Sequence, residues 1–336
     1  MALKSGKINK NDLIQWLKTH QKNILVTEKV AHHQPELLFD QSKEIKNIKE
    51  ALFPPWDKLF HYHWENQQWK IEDIQPTVSP RFLMALPCEI RAIFEVLDRV
   101  FLQPSEIETG YAVRRQGLKM IIIGCVNPEP TCFCHLVGGN PYWSHPDALF
   151  ILPFHDEYYF ETNQPEQFDI TEKGTPLNKA EREEIEALKK QMEEKTNQEM
   201  LPKEVPQELY NLFEDQEWED LSWKCLNCGA CTYLCPTCQC FDMSTEGRLK
   251  GFQLKSWDSC MFPKFTLHAS GHNPRPTFKE RVRQRVLHKF SYFPLREEGR
   301  YGCVGCGKCI EICPVNWNIR EVVERMVKKI GNRTEK

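Results

Sequence analysis

Four cysteines closed by a proline occur twice in this chain, as Cys225, Cys228, Cys231, Cys235 and Pro236, and again as Cys303, Cys306, Cys309, Cys313 and Pro314. Both copies read C-x2-C-x2-C-x3-C-P, the run that holds 4Fe-4S clusters. Three thiolates on one tight turn can reach three irons of a single cube. The fourth, one helical turn on, points elsewhere and in two-cluster proteins ligates the other cube. The spacing therefore assigns Cys225, Cys228, Cys231 and Cys313 to one cluster and Cys303, Cys306, Cys309 and Cys235 to a second. The chemistry implied is transfer of single electrons.

Two rival readings use the same residues. C-x2-C pairs also make structural zinc sites, but zinc takes four ligands in two pairs and has no use for a third cysteine three residues on, or for the trailing Cys-Pro. A disulfide framework would require export to an oxidising compartment. The segment Met1-Ala2-Leu3-Lys4-Ser5-Gly6-Lys7 has neither an apolar stretch of signal-peptide length nor a twin-arginine pair, so a reduced, cytoplasmic environment is expected. Fifteen cysteines in such a chain exceed what packing would use, and most must be metal ligands or redox groups.

With 336 residues the chain can hold two domains with their own cores. A net charge of −3 gives no global basic field of the kind that marks nucleic-acid binders. The longest apolar runs, of the size of Ala148–Leu152, and others such as Met120–Ile123 are strand-sized, whereas a membrane-spanning helix needs about 20 apolar residues.

The periodicity predicts a helix over Lys10–His20, with Leu13, Trp16 and Leu17 on one face, and then a strand over Asn23–Val26. A buried strand is expected at Arg81–Cys88, followed by a helix over Glu89–Phe101. Strands at Lys119–Ile123 and Ala148–Leu152 continue the alternation of an α/β domain, placed at residues 1–175. The composition then turns to a charged helical linker over 176–220, whose charges read either as a solvated helix or as an acidic docking face. A cysteine-rich domain over 221–336 follows, with helices expected at Arg281–Phe290 and Ile319–Ile330 and no strands between its motifs. Its two runs start 78 residues apart, so the insert must be folded structure in its own right. The fold class is α+β.

A second set of thiols lies near the other end. Cys88 and Cys125 each follow a strand, and Cys132 and Cys134 sit in the loop after the second one. The C-terminal ends of neighbouring strands in an open α/β sheet gather their loops, so these four could converge as the ligands of a third cluster. Buried core thiols are the alternative. Cys238, Cys240 and Cys260 are one short of a further set and are read as packing or hydrogen-bonding neighbours. The basic stretch Asn273–Lys289 is read as charge compensation for anionic clusters, with docking as the alternative. There is no G-x-G-x-x-G after a strand and no G-x-x-x-x-G-K-[ST], so no nucleotide or flavin site is expected on this chain, and no adjacent Cys-Cys pair occurs.

Several segments together resemble the iron–sulfur β subunits of cytoplasmic sulfhydrogenase-type NiFe hydrogenases, a family shared with the iron–sulfur subunit of anaerobic sulfite reductase. They are Leu86–Ile93, around Pro87-Cys88-Glu89; Cys132-Phe133-Cys134 ahead of Gly138-Gly139; Cys235–Asp242; Trp257–Cys260; and Gly271–Pro276 leading into the arginine-rich helix. The resemblance implies an α-helical ferredoxin-like dicluster domain at the C-terminal end. It also implies a non-catalytic role, passing electrons between an FAD/NAD(P)-binding, diaphorase-like subunit on one side and a catalytic subunit on the other, with neither nucleic acid nor a membrane span involved. The family pattern includes the N-terminal cysteines, which supports the third cluster. Glu89 stands where the family usually has Asp, and Pro128 and Pro130 occupy a loop where relatives differ. The end of the second run, Cys313–Ile319, is nearer the hydrogenase branch. The other readings are a component of sulfite reductase, a relay for a heterodisulfide-reductase-like or formate-linked complex, and a freestanding iron–sulfur enzyme.

Overall fold

The computed structural model describes residues 3–76, 81–196 and 199–334. Met1 and Ala2, read above for a leader, and residues 197–198 of the charged linker lie outside them. Contacts divide the chain into two units, one of residues 1–53, 77–199 and 304–306, the other of 54–76, 200–303 and 307–336. The strands among the described residues are β1 (Lys4–Asn9), β2 (Ile24–Thr27), β3 (Lys43–Ile45), β4 (Trp56–Glu65), β5 (Gln68–Asp73), β6 (Arg81–Ala85), β7 (Leu118–Ile123), β8 (Ala148–Phe154), β9 (Glu157–Thr162), β10 (Phe241–Gly247) and β11 (Lys250–Trp257).

In the first unit seven strands form one sheet in the order β1-β9-β8-β7-β6-β2-β3. Strands β3, β2, β6, β7 and β8 run parallel, and β9 is antiparallel to both of its neighbours, β8 and β1. Leu83–Ala85, Met120–Ile123 and Ala148–Leu152 are buried as continuous apolar runs, as expected of strands covered on both faces. Helix α1 (Lys10–His20) starts where the Asn9 side chain accepts from the Asn11 amide, and it buries Leu13, Trp16 and Leu17. Trp16 also donates its indole N–H to Asp169 at 2.6 Å.

The connection from β2 to β3 goes one way across the sheet, while β6, β7 and β8 build out the other way from β2. The strand order therefore reverses between β2 and β6, the place where open α/β sheets bind ligands beyond their strand ends. Helix α2 (Glu28–His33) leaves the end of β2, and α3 (Pro87–Ala92) leaves the end of β6. Pro87 suits the first turn, where its missing N–H costs nothing. The wholly buried Glu89 fixes this start, accepting from the Leu86 amide at 3.2 Å and from Thr27 Oγ1 at 2.6 Å. The helix expected over Glu89–Phe101 is present but changes pitch, passing through a π-helical turn at Ile93–Leu97.

The second unit carries the helices Phe278–Leu287 and Ile319–Thr334, close to the segments expected. It is not wholly helical. The hairpin β10–β11 stands between the two cysteine runs and overturns the expectation of an insert without strands. It pairs with β4 and β5 in an antiparallel sheet of order β10-β11-β4-β5. The physical reason is local. Phe241 and Met243 alternate with polar residues as a strand requires, but both are exposed, so the pattern marks no core face. Gly247 at φ +104° turns the chain, a backbone region closed to most side chains. Among the described residues no helix is long and apolar enough to cross a membrane.

Candidate metal centres

In the second unit one cavity of about 430 Å³, counted to its open mouth, is lined by Cys225, Cys228, Cys231 and Cys313 together with Met261, Val282, Arg285 and Trp317. Its turn is built from two left-handed residues, Asn227 at φ +51° and Gly229 at φ +77°, before the short helix Ala230–Tyr233. The second run repeats this backbone with Gly305 at φ +66° and Gly307 at φ +77° before Lys308–Glu311. Backbone N–H groups reach the sulfurs: Asn227 donates to Cys225 Sγ at 3.4 Å and Trp317 to Cys313 Sγ at 3.1 Å. The Trp317 ring is held in turn by its own N–H on the Leu221 carbonyl at 2.6 Å.

Two buried cations stand among the thiols of this unit. Burial alone would favour neutral side chains, yet Cys231 and Cys309 beside Arg285, and Cys235, Cys238 and Cys303 beside Lys289, hold both groups in their charged forms. Arg285 Nε and Nη2 are buried with no hydrogen-bond acceptor among the described residues, and Arg285 lines the four-cysteine cavity. Lys289 Nζ donates to Thr237 Oγ1 at 2.7 Å, the Gly302 carbonyl at 3.0 Å and Cys235 Sγ at 3.4 Å. The Cys235 thiol is lowered first by the hydrogen bond from Cys238 and then by Lys289. Burial pushes Cys231 up to about 11. A thiol raised by burial gives up its proton only to a partner that supplies positive charge, and iron does.

In the first unit a cavity of about 400 Å³, counted in the same way, lies beyond the ends of β2, β6 and β7 at the reversal of strand order. It is lined by Cys88, Cys125, Cys132 and Cys134, with Lys29, His33, Glu129 and Gly305. Burial raises Cys125 to about 12 and Cys134 to about 11, and raises Cys88 well above the usual thiol range. Buried Lys29 supplies a positive charge and donates to the Cys306 carbonyl at 2.9 Å. Phe133 N–H donates to the Gly305 carbonyl at 2.8 Å. A Cβ at Gly305 would lie 2.5 Å from the Phe133 carbonyl, so the approach requires glycine.

The structure thus brings Cys225, Cys228, Cys231 and Cys313 around one cavity and Cys88, Cys125, Cys132 and Cys134 around another. Cys235 and Cys303 both stand beside Lys289, and Cys309 is next to Cys235, whereas Cys306 falls in the first unit. Cys238 hydrogen-bonds Cys235, and Cys240 hydrogen-bonds Cys260. Lys29, Thr27 and Glu89 stand at the site without a signal in the sequence. A lysine or threonine in a short segment carries no spacing pattern, and Glu89 reads only as a departure from the family's aspartate.

Four thiols converging on one cavity, with unsatisfied guanidinium N–H groups at its wall, fit an anionic 4Fe-4S cube. A family model, the 4Fe-4S dicluster domain, matches residues 224–317. The chain is 30% identical over 295 residues to sulfhydrogenase 2 subunit beta of Pyrococcus furiosus, covering 83% of this chain and 82% of that one. No solved structure matches it significantly. The chain is an iron–sulfur protein, and it belongs to the sulfhydrogenase β-subunit family.

Proposed function

We propose that this chain is the electron-transfer subunit of a heteromeric cytoplasmic oxidoreductase, relaying single electrons between an FAD/NAD(P)-binding, diaphorase-like subunit on one side and a catalytic NiFe hydrogenase subunit on the other. The observation that carries the reading is the cavity in which Cys313 of the second run stands with Cys225, Cys228 and Cys231 of the first, the interleaving that two-cluster proteins use. The relative's name, a sulfhydrogenase β subunit, supports the choice of partner.

Two clusters are proposed in the C-terminal domain, one on Cys225, Cys228, Cys231 and Cys313, the other on Cys303, Cys306, Cys309 and Cys235. A third is proposed on Cys88, Cys125, Cys132 and Cys134. Each, when bound, accepts and releases one electron at a time, which divides a two-electron reaction into single steps. The protein's own part is electrostatic. Lys29, Arg285 and Lys289 set positive charge beside the sulfurs, stabilising the more negative, reduced state and raising its potential. The Asn227 and Trp317 amides act in the same direction at Cys225 and Cys313.

Co-purification tests the assignment of partners. The native protein is expected to come down with a flavoprotein and a nickel-containing pair of subunits. A sirohaem protein in their place selects sulfite reduction and removes the hydrogenase reading.

A further inference from the structure

We propose a mononuclear site for a divalent transition ion, formed by His32, His33 and Glu129 in the first unit. It does not depend on the relay reading. One ring nitrogen of each histidine and one carboxylate oxygen all lie within 4.8 Å of one another. His33 Nε2 and Glu129 Oε1 are 3.3 Å apart. That separation is what a tetrahedral ion imposes on two ligands bound at about 2.0–2.1 Å, so two of the three donors already stand at liganding distance. His32, exposed at the end of α2, offers the third donor within the same 4.8 Å.

The groups are supported from both sides. Pro128 and Pro130 bracket Glu129 and restrict its backbone, and the Cys132 amide donates to the Glu129 carbonyl at 2.9 Å. Two imidazoles and a carboxylate are a borderline donor set that selects zinc or iron(II) over calcium or magnesium, and three protein ligands leave a position for water. The ion would bridge α2 to the loop that carries Cys132 and Cys134, at the wall of their cavity, which His33 and Glu129 also line.

The test uses the anaerobically purified full chain with its iron in place, dialysed against about 10 µM Zn²⁺ and read by metal analysis and zinc X-ray absorption. About one zinc per chain is expected, with a first shell of nitrogen and oxygen at about 2.0–2.1 Å and no sulfur at about 2.3 Å. His32→Ala and Glu129→Gln should each weaken retention at least about 10-fold, and His32→Ala, whose residue is not among those lining the cysteine cavity, should leave iron content unchanged. His32 is exposed and Gln is isosteric with Glu, so both variants should fold. No bound zinc, retention in both variants equal to the parent's, or a sulfur shell showing zinc on cysteines would overturn the site. Iron content, measured on the same samples, reports separately on the clusters.

Discussion

The buried Lys29 ammonium donates to the backbone carbonyl of Cys306 at 2.9 Å, joining a short helix near the start of the chain to the second cysteine run, 277 residues on. Lys29 also lines the cavity of Cys88, Cys125, Cys132 and Cys134. Replacing it with Met keeps the stem and removes the charge. The reduced state of a cluster in that cavity then loses a favourable partner. Its potential should fall by roughly 50–100 mV, the scale for a unit charge several ångströms away at an effective dielectric near 20. An EPR-monitored redox titration reads the shift, and an unchanged potential removes Lys29 from the site.

Gly305 is held at φ +66° against the Phe133 and Cys134 backbone. Gly305→Ala adds a left-handed strain of about 1–2 kcal/mol. Its Cβ would also press on backbone atoms that have no rotamer to yield. Destabilisation above about 2 kcal/mol is expected, together with partial iron loss, both measurable on one preparation. A variant as stable as the parent would mean that the tight approach is absent in solution.

Cys132→Ala removes one of the four thiols at the end of the sheet. Iron should drop by about four per chain, with acid-labile sulfide falling in step, while the signals of the other clusters persist. Unchanged iron would leave these cysteines as core thiols.

Burial, reinforced by Lys289, Arg296 and Arg275, lowers the His288 pKa from 6.5 to about 4. The unfolded chain therefore takes up a proton below pH 6.5 that the folded chain refuses until about pH 4. Acidification through that window favours unfolding, by up to about 3 kcal/mol at its lower end. His288→Gln should flatten the decline in urea midpoint between pH 6.5 and 4.5 relative to the parent. Parallel curves would place the acid sensitivity elsewhere.

The sheet of the first unit was legible because Leu83–Ala85, Met120–Ile123 and Ala148–Leu152 are buried on both faces and read as unbroken apolar runs. The convergence of Cys88, Cys125, Cys132 and Cys134 followed from where those strands end. The hairpin β10–β11 was not legible because its large apolar residues Phe241 and Met243 face solvent. Nor was its pairing with β4, about 190 residues earlier, which depends on register that no local pattern encodes. Lys29 is silent in the sequence for the same reason: its acceptor is a backbone carbonyl, and a carbonyl leaves no mark there.

Iron and acid-labile sulfide in the anaerobically purified chain test the iron–sulfur relay most directly. About 12 irons and about 12 sulfides per chain are predicted for three 4Fe-4S clusters. Stoichiometric zinc with no sulfide would contradict it.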